Sequence, residues 1–221
     1  MEDFIFGKNK YGEYAVPKTS SYRPASVHIL RGSVWEQKTI DYISSLNLNN
    51  EIIHAGTYFG DFLPFLSQTF KKVWAFEISD VNHNAALKTL ELNNIDNVSL
   101  NKFALGDVES FVNIQTNISG KDLGGTSKVI NYDSGTSIKQ VKLDDIIPKD
   151  SKIDIIHLDI EGSEINAIKG AMELIIRNKP ILILEDNNND VQKNWFKQNI
   201  IALGYKKVLQ VDENKVFKYE N

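Results

Sequence analysis

From residue 51 onward the chain alternates short apolar runs with stretches of helical periodicity, and this restricts it to few folds. Glu51-Ile52-Ile53-His54, Lys72 to Phe76, Val98 to Leu105, Ile153 to Asp159 and Ile181 to Leu184 read as strands. Helices are expected over Asp61 to Phe70, over Val81 to Leu92, along a segment carrying Ile165, Ile168, Met172, Ile175 and Ile176, and near Val191 to Leu203. The pattern predicts an α/β domain whose mostly parallel sheet has helices on both faces. Two closing runs, near Lys206 to Val211 and Lys215 to Tyr219, predict an antiparallel edge. Residues 106–140 break the alternation with glycines and with Phe111-Val112-Asn113-Ile114, which predicts a β-rich insertion covering the site.

Residues 1–50 read as an N-terminal extension (hairpin, loop, helix) on the acceptor side of a domain at 51–221. Phe4-Ile5-Phe6 and Tyr14-Ala15-Val16 flank a Gly- and Asn-containing turn, as in a hairpin. Thr19 to Gly32 has no clear period and reads as a loop. Ser33-Val34-Trp35-Glu36 has the form of a capping box opening a helix with Ile40, Ile43 and Leu46 on one side.

Composition excludes several classes. The 221 residues are 42% hydrophobic and 24% charged, with a net charge of −4, so no basic footprint points to nucleic acid. No cysteine is present, which removes disulfides, thiol nucleophiles and cysteine-ligated zinc. No apolar run approaches the roughly 20 residues that span a bilayer. The acidic start, Met1-Glu2-Asp3, lacks a basic signal region. A cytoplasmic protein with no membrane partner is expected, and nothing in the sequence sets its oligomeric state.

The chemistry concentrates in two places. After the first strand of the domain comes Ala55-Gly56-Thr57-Tyr58-Phe59-Gly60, whose glycines allow backbone to approach a ligand closely. Glu77 ends the next strand, near the spacing of about 20 residues at which an acid holds ribose hydroxyls. A dinucleotide fingerprint requires a middle glycine where Tyr58 stands, and no P-loop ending is present. A phosphate-free nucleoside such as S-adenosylmethionine needs less glycine and is preferred to NAD; a tight turn without ligand is the plain alternative.

The second place is His157-Leu158-Asp159-Ile160-Glu161-Gly162-Ser163-Glu164. Alternation along a strand puts His157, Asp159 and Glu161 on one face. Asp159 and Glu161 are the candidate bases, against plainer roles in capping the turn or serving the helix N-terminus. His157 reads as a core residue and Glu164 as a helix-dipole partner. Leu184-Glu185-Asp186-Asn187 ends the adjacent strand, so a divalent metal such as Mg²⁺ is the second reading, behind a metal-free site. Arg23 and Arg31, near Tyr22 and His28, are the expected acceptor contacts, with Asp186.

In order along the chain stand Gly56 and Gly60, Glu77, Ala104-Leu105-Gly106-Asp107, Leu143-Asp144-Asp145, Asp159-Ile160-Glu161-Gly162-Ser163-Glu164, Lys169-Gly170-Ala171 and Glu185. This series resembles the FkbM family of S-adenosylmethionine-dependent methyltransferases over roughly residues 51–186. The family's usual Asp, Asn or His, and Lys are replaced by His54, Tyr58 and His157. The resemblance implies a Rossmann-like class I methyltransferase sheet. It also implies that His54, Gly56, Thr57, Tyr58 and Gly60 surround the methionine end of the cofactor. Glu77 would take the ribose, and Ile78, Ala104, Leu105 and Asp107 would border the adenine. The implied reaction is O-methylation of a hydroxyl on a sugar, glycan or other small molecule. An NAD-type oxidoreductase and a non-catalytic nucleoside-binding module are the competing readings.

Overall fold

The computed structural model describes residues 3–133, 136–185 and 193–220. The chain opens with the expected hairpin, β1 (Phe4–Lys8) against β2 (Glu13–Pro17). The stretch read as a loop contains a helix, α1 (Pro24–Leu30), which starts with proline in its first turn. Proline's fixed φ favours that position, and the helix is too short to show a period. α2 (Gln37–Ser45) follows with Ile40 and Ile43 buried. The capping box does not form: Glu36 precedes the helix without a side-chain cap, and Ser33 donates to the His28 carbonyl instead.

The domain then runs through β3 (Glu51–Ala55), α3 (Leu63–Thr69), β4 (Lys72–Phe76), α4 (Asp80–Leu92) and β5 (Val98–Asn101). The expected strand over 98–105 is two strands. β5 joins the main sheet, whereas β6 (Ala104–Leu105) pairs in a second one. The insertion is β-rich as expected. It holds β7 (Ser110–Gln115), β8 (Asn117–Ile118), β9 (Lys121–Asp122), β10 (Lys128–Ile130) and β11 (Ser137–Val141). After α5 (Leu143–Ile146) comes β12 (Ile153–Leu158). The single helix expected next is split into α6 (Glu164–Lys169) and α7 (Met172–Asn178), and Ile176 faces solvent. The break falls at Gly170, where an added Cβ would lie 2.0 Å from the Gly106 carbonyl oxygen. β13 (Ile181–Glu185), α8 (Asn194–Phe196) with a π-helical continuation over Lys197–Ile201, β14 (Tyr205–Val211) and β15 (Asn214–Tyr219) complete the chain. The expected start of that last helix and Asp186 lie outside the described residues.

The main sheet has seven strands in the order β14-β15-β13-β12-β3-β4-β5. β13, β12, β3, β4 and β5 are parallel; β15 and β14 form the antiparallel edge. Successive strand residues enter opposite cores, as with Ile52 and Ile53, because helices cover both faces. The strand order reverses between β3 and β12, and in open α/β sheets the crevice at such a reversal is where ligands bind. Among the described residues no helix is long and apolar enough to cross a membrane.

Candidate functional site

Two cavities open at the C-terminal ends of β3, β4, β12 and β13. The first spans about 430 Å³ of space, part of it open to solvent, and is largely apolar, with Phe76, Ile78, Phe103, Ala104 and Leu105 in its wall and Glu77 and Asp159 as its acids. The second holds about 990 Å³ and includes His54, Tyr58, Asp159, Glu161 and Glu185. Gly56, Gly125 and Asp159 line both, so the cavities meet at the end of β12.

The glycine loop is shaped by close contact. Gly56 has φ +86°, and a Cβ there would fall 1.7 Å from the Asp159 carbonyl oxygen. The ends of β3 and β12 therefore approach more closely than any side chain allows. Tyr58 also has a positive φ (52°), and its backbone N–H donates to Glu77 at 2.7 Å. The other Glu77 oxygen accepts from the Ser79 N–H at 2.8 Å. Burial pushes the Glu77 carboxyl up to about 7 despite these bonds, and it pushes Asp61 up to about 7 as well.

The paired register of β3 and β12 sets His54 beside His157. Both are 2% exposed, and their Nδ1 atoms are 3.1 Å apart. Burial lowers both imidazoles, His54 most strongly because His157 lies beside it; His157 falls to about 4. Both are neutral at pH 7. One therefore donates through Nδ1–H while the other accepts.

Strand alternation stops at Leu158. Glu161 sits in a left-handed turn (φ 54°) followed by Gly162 (φ 98°). Glu164 folds back to accept from the Ile160 and Gly162 N–H groups, which fixes that turn. The turn brings Glu161 next to Asp159 and Glu185, with one oxygen from each within 4.8 Å of the others. Burial, then the Glu185 charge, pushes Glu161 up to about 7. The same causes, with a hydrogen bond to Glu185, raise Asp159 well above the usual carboxylate range. Three such oxygens fit a hard divalent cation by type.

The insertion covers both cavities. Its tip, at Asp122 to Ser127, is pinned from two sides. Arg23 Nη2 and the Tyr22 hydroxyl donate to the Asp122 carbonyl, each at 3.0 Å, and Asn82 Nδ2 donates to the Gly124 carbonyl at 2.9 Å.

Of the residues expected in the site, His54, Gly56, Tyr58, Glu77, Ile78, Ala104, Leu105, Asp159, Glu161 and Arg23 line one cavity or both. Thr57 and Gly60 shape the loop from beneath: Thr57 is fully buried and its carbonyl accepts from the Gly60 N–H. Asp107 and Arg31 are exposed and line neither cavity. The sequence reading did not assign Glu36, Glu213, Phe103 or Gly125 to the site. They come from a helix start, a strand turn, the β5–β6 link and the insertion, and no motif marks them as ligand-facing.

The FkbM domain of methyltransferases, as a family model, matches residues 54–218. Among solved structures, the methyltransferase FkbM from Methylobacillus flagellatus KT aligns with a TM-score of 0.58 at 20% identity, over 82% of this chain and 47% of that one. The T. thermophilus 16S rRNA N2 G1207 methyltransferase, solved with AdoMet and guanosine, aligns with a TM-score of 0.51 at 13% identity, over 98% and 50%. Both likenesses show the Rossmann-like class I methyltransferase fold. The chain spans about half the length of these solved proteins. No curated protein sequence matches it.

Proposed function

The chain belongs to the FkbM family of methyltransferases, and on that premise we propose that it methylates a hydroxyl oxygen on a sugar, glycan or other small molecule. The observation that carries this reading is the position of Asp159, a half-buried carboxyl in the wall shared by a mostly apolar cavity and a larger polar one.

The residues present fit S-adenosylmethionine. The first cavity offers apolar faces for a purine and Glu77 for ribose hydroxyls, and Gly56 leaves the backbone bare where a Cβ would intrude. His54, Tyr58 and Asp61, which line the second cavity next to Gly56, would hold the methionine end. When bound, the cofactor supplies an electrophilic methyl on a sulfonium. Asp159 and Glu161 then serve as the base pair for the acceptor hydroxyl, a contribution worth about 10²–10⁴-fold. The insertion tip excludes water. Arg23 and Asp186 remain the proposed acceptor contacts. The acidic second cavity opposes a polyphosphate strand, which supports a small-molecule acceptor over nucleic acid.

Calorimetric titration with S-adenosylhomocysteine tests the reading: binding is expected, and its absence sinks it. The Asp159, Glu161 and Glu185 oxygens also favour a second, metal-assisted reading. Turnover unchanged by EDTA is the expected result. Loss of turnover that Mg²⁺ restores would establish the metal instead.

A further inference from the structure

The second cavity gathers more carboxyl groups than a neutral hydroxyl acceptor requires. Its wall takes Glu36 from the start of α2, Asp61 from the glycine loop, Asp159 and Glu161 from the end of β12, Glu185 from β13 and Glu213 from the β14–β15 turn. Arg23 is the lining cation among the described residues, and its Nη2 already donates to the Asp122 carbonyl. Lys128 acts electrostatically on Glu161. Even with Asp61 assigned to the methionine ammonium, the carboxylates left over outnumber these two cations.

A second, independent feature lies in the same wall. The Nε2 atom of His54 is buried and has no hydrogen-bond partner, while His157 lies close enough to Asn214 for that side chain to raise its pKa. In a neutral Nδ1-to-Nδ1 pair, the imidazole that donates keeps a bare Nε2, which can only accept. The other ring keeps an Nε2–H, so the pair presents one acceptor and one donor beside the carboxyl groups, which add acceptors for N–H groups. Half-buried acids crowded together without cations repel one another, and a cationic ligand offsets that cost.

Resting on the methyltransferase reading, we infer that the acceptor carries a positively charged amine close to the hydroxyl that is methylated, as an amino sugar or aminocyclitol does. The acids come from several elements around a cavity of about 990 Å³, a spread that suits an extended organic cation better than a point charge. Carboxylate or phosphate acceptors would meet like charge and be rejected.

The test uses the full chain loaded with S-adenosylhomocysteine, in EDTA, titrated with glucosamine, glucose or glucuronate as matched probes. Glucosamine is expected to bind roughly tenfold or more tightly than glucose, with glucuronate weakest. Glu185→Gln and Glu213→Gln are each expected to shrink that preference while S-adenosylhomocysteine still binds. Equal binding of glucosamine and glucose overturns the inference, as do binding of none of the probes and a preference unchanged in both variants. So does a glucosamine preference lost on adding Mg²⁺ while glucose binding rises, which would give the acids to a metal. Failure of the protein to load with S-adenosylhomocysteine at all is the separate outcome that removes the methyltransferase reading.

Discussion

Glu161 is where local backbone and chemistry meet most directly. Its left-handed conformation costs about 1–3 kcal/mol and persists because Glu164 ties down the turn. A base must be deprotonated to act, and burial holds Glu161 protonated up to about pH 7. The rate should therefore rise with pH through about 7, and further above it as Asp159, raised higher still, also loses its proton. A kcat/KM profile checks this, and Glu161→Gln should lower the rate by about 10²-fold or more. Gly56 admits a simpler prediction. Gly56→Ala places a methyl against the Asp159 carbonyl and forces a positive φ on alanine. It should destabilise the protein by at least about 1–3 kcal/mol and abolish S-adenosylhomocysteine binding, read by thermal melting and calorimetry.

Among the elements, the insertion tip depends on few bonds. Asn82 is fully buried and donates to the Gly124 carbonyl. Asn82→Ala removes that tie to α4 and leaves the carbonyl with Ser127 alone, at a cost of about 0.5–1.5 kcal/mol. Hydrogen exchange over residues 121–127 should quicken, and S-adenosylhomocysteine affinity should fall roughly tenfold. The parallel strands were legible in the sequence because both their faces are buried, which leaves dense apolar runs such as Ile153 to Leu158. The glycine loop and Glu77 were legible because spacing encodes them, whereas Asp159 and Glu161 meet through the turn at 161–162 and not through the strand alternation that suggested them. α1 was not, since two turns starting at Pro24 show no period. The α6–α7 break was hidden because the reason for Gly170 is the distant Gly106 carbonyl. Glu36 and Glu213 reach the cavity only through tertiary packing, which no one-dimensional pattern records.

For the whole molecule, buried ionisable groups set the pH response. Asp61, Glu77 and Glu164 titrate near 7 when folded, against 3.8 to 4.5 for the free side chains. The folded state thus binds more protons than the unfolded chain, and stability rises as pH falls from about 8 to 6.5. Below 6.5 the lowered His54 and His157 oppose this, because unfolding lets both imidazoles charge. The ligand-free melting temperature should increase from pH 8 to 6.5 and then level. A melting temperature that falls over that first interval would contradict the burial of these carboxylates.

One strap covers two chambers. Because Gly125 walls both cavities, the spent nucleoside and the methylated product of the proposed reaction would leave past the same few residues. Release is then a gating event, and its speed limits each cycle whenever chemistry is faster. Turnover should slow as solvent viscosity is raised, and should slow less in Asn82→Ala, where the strap is loosened at its hinge with α4.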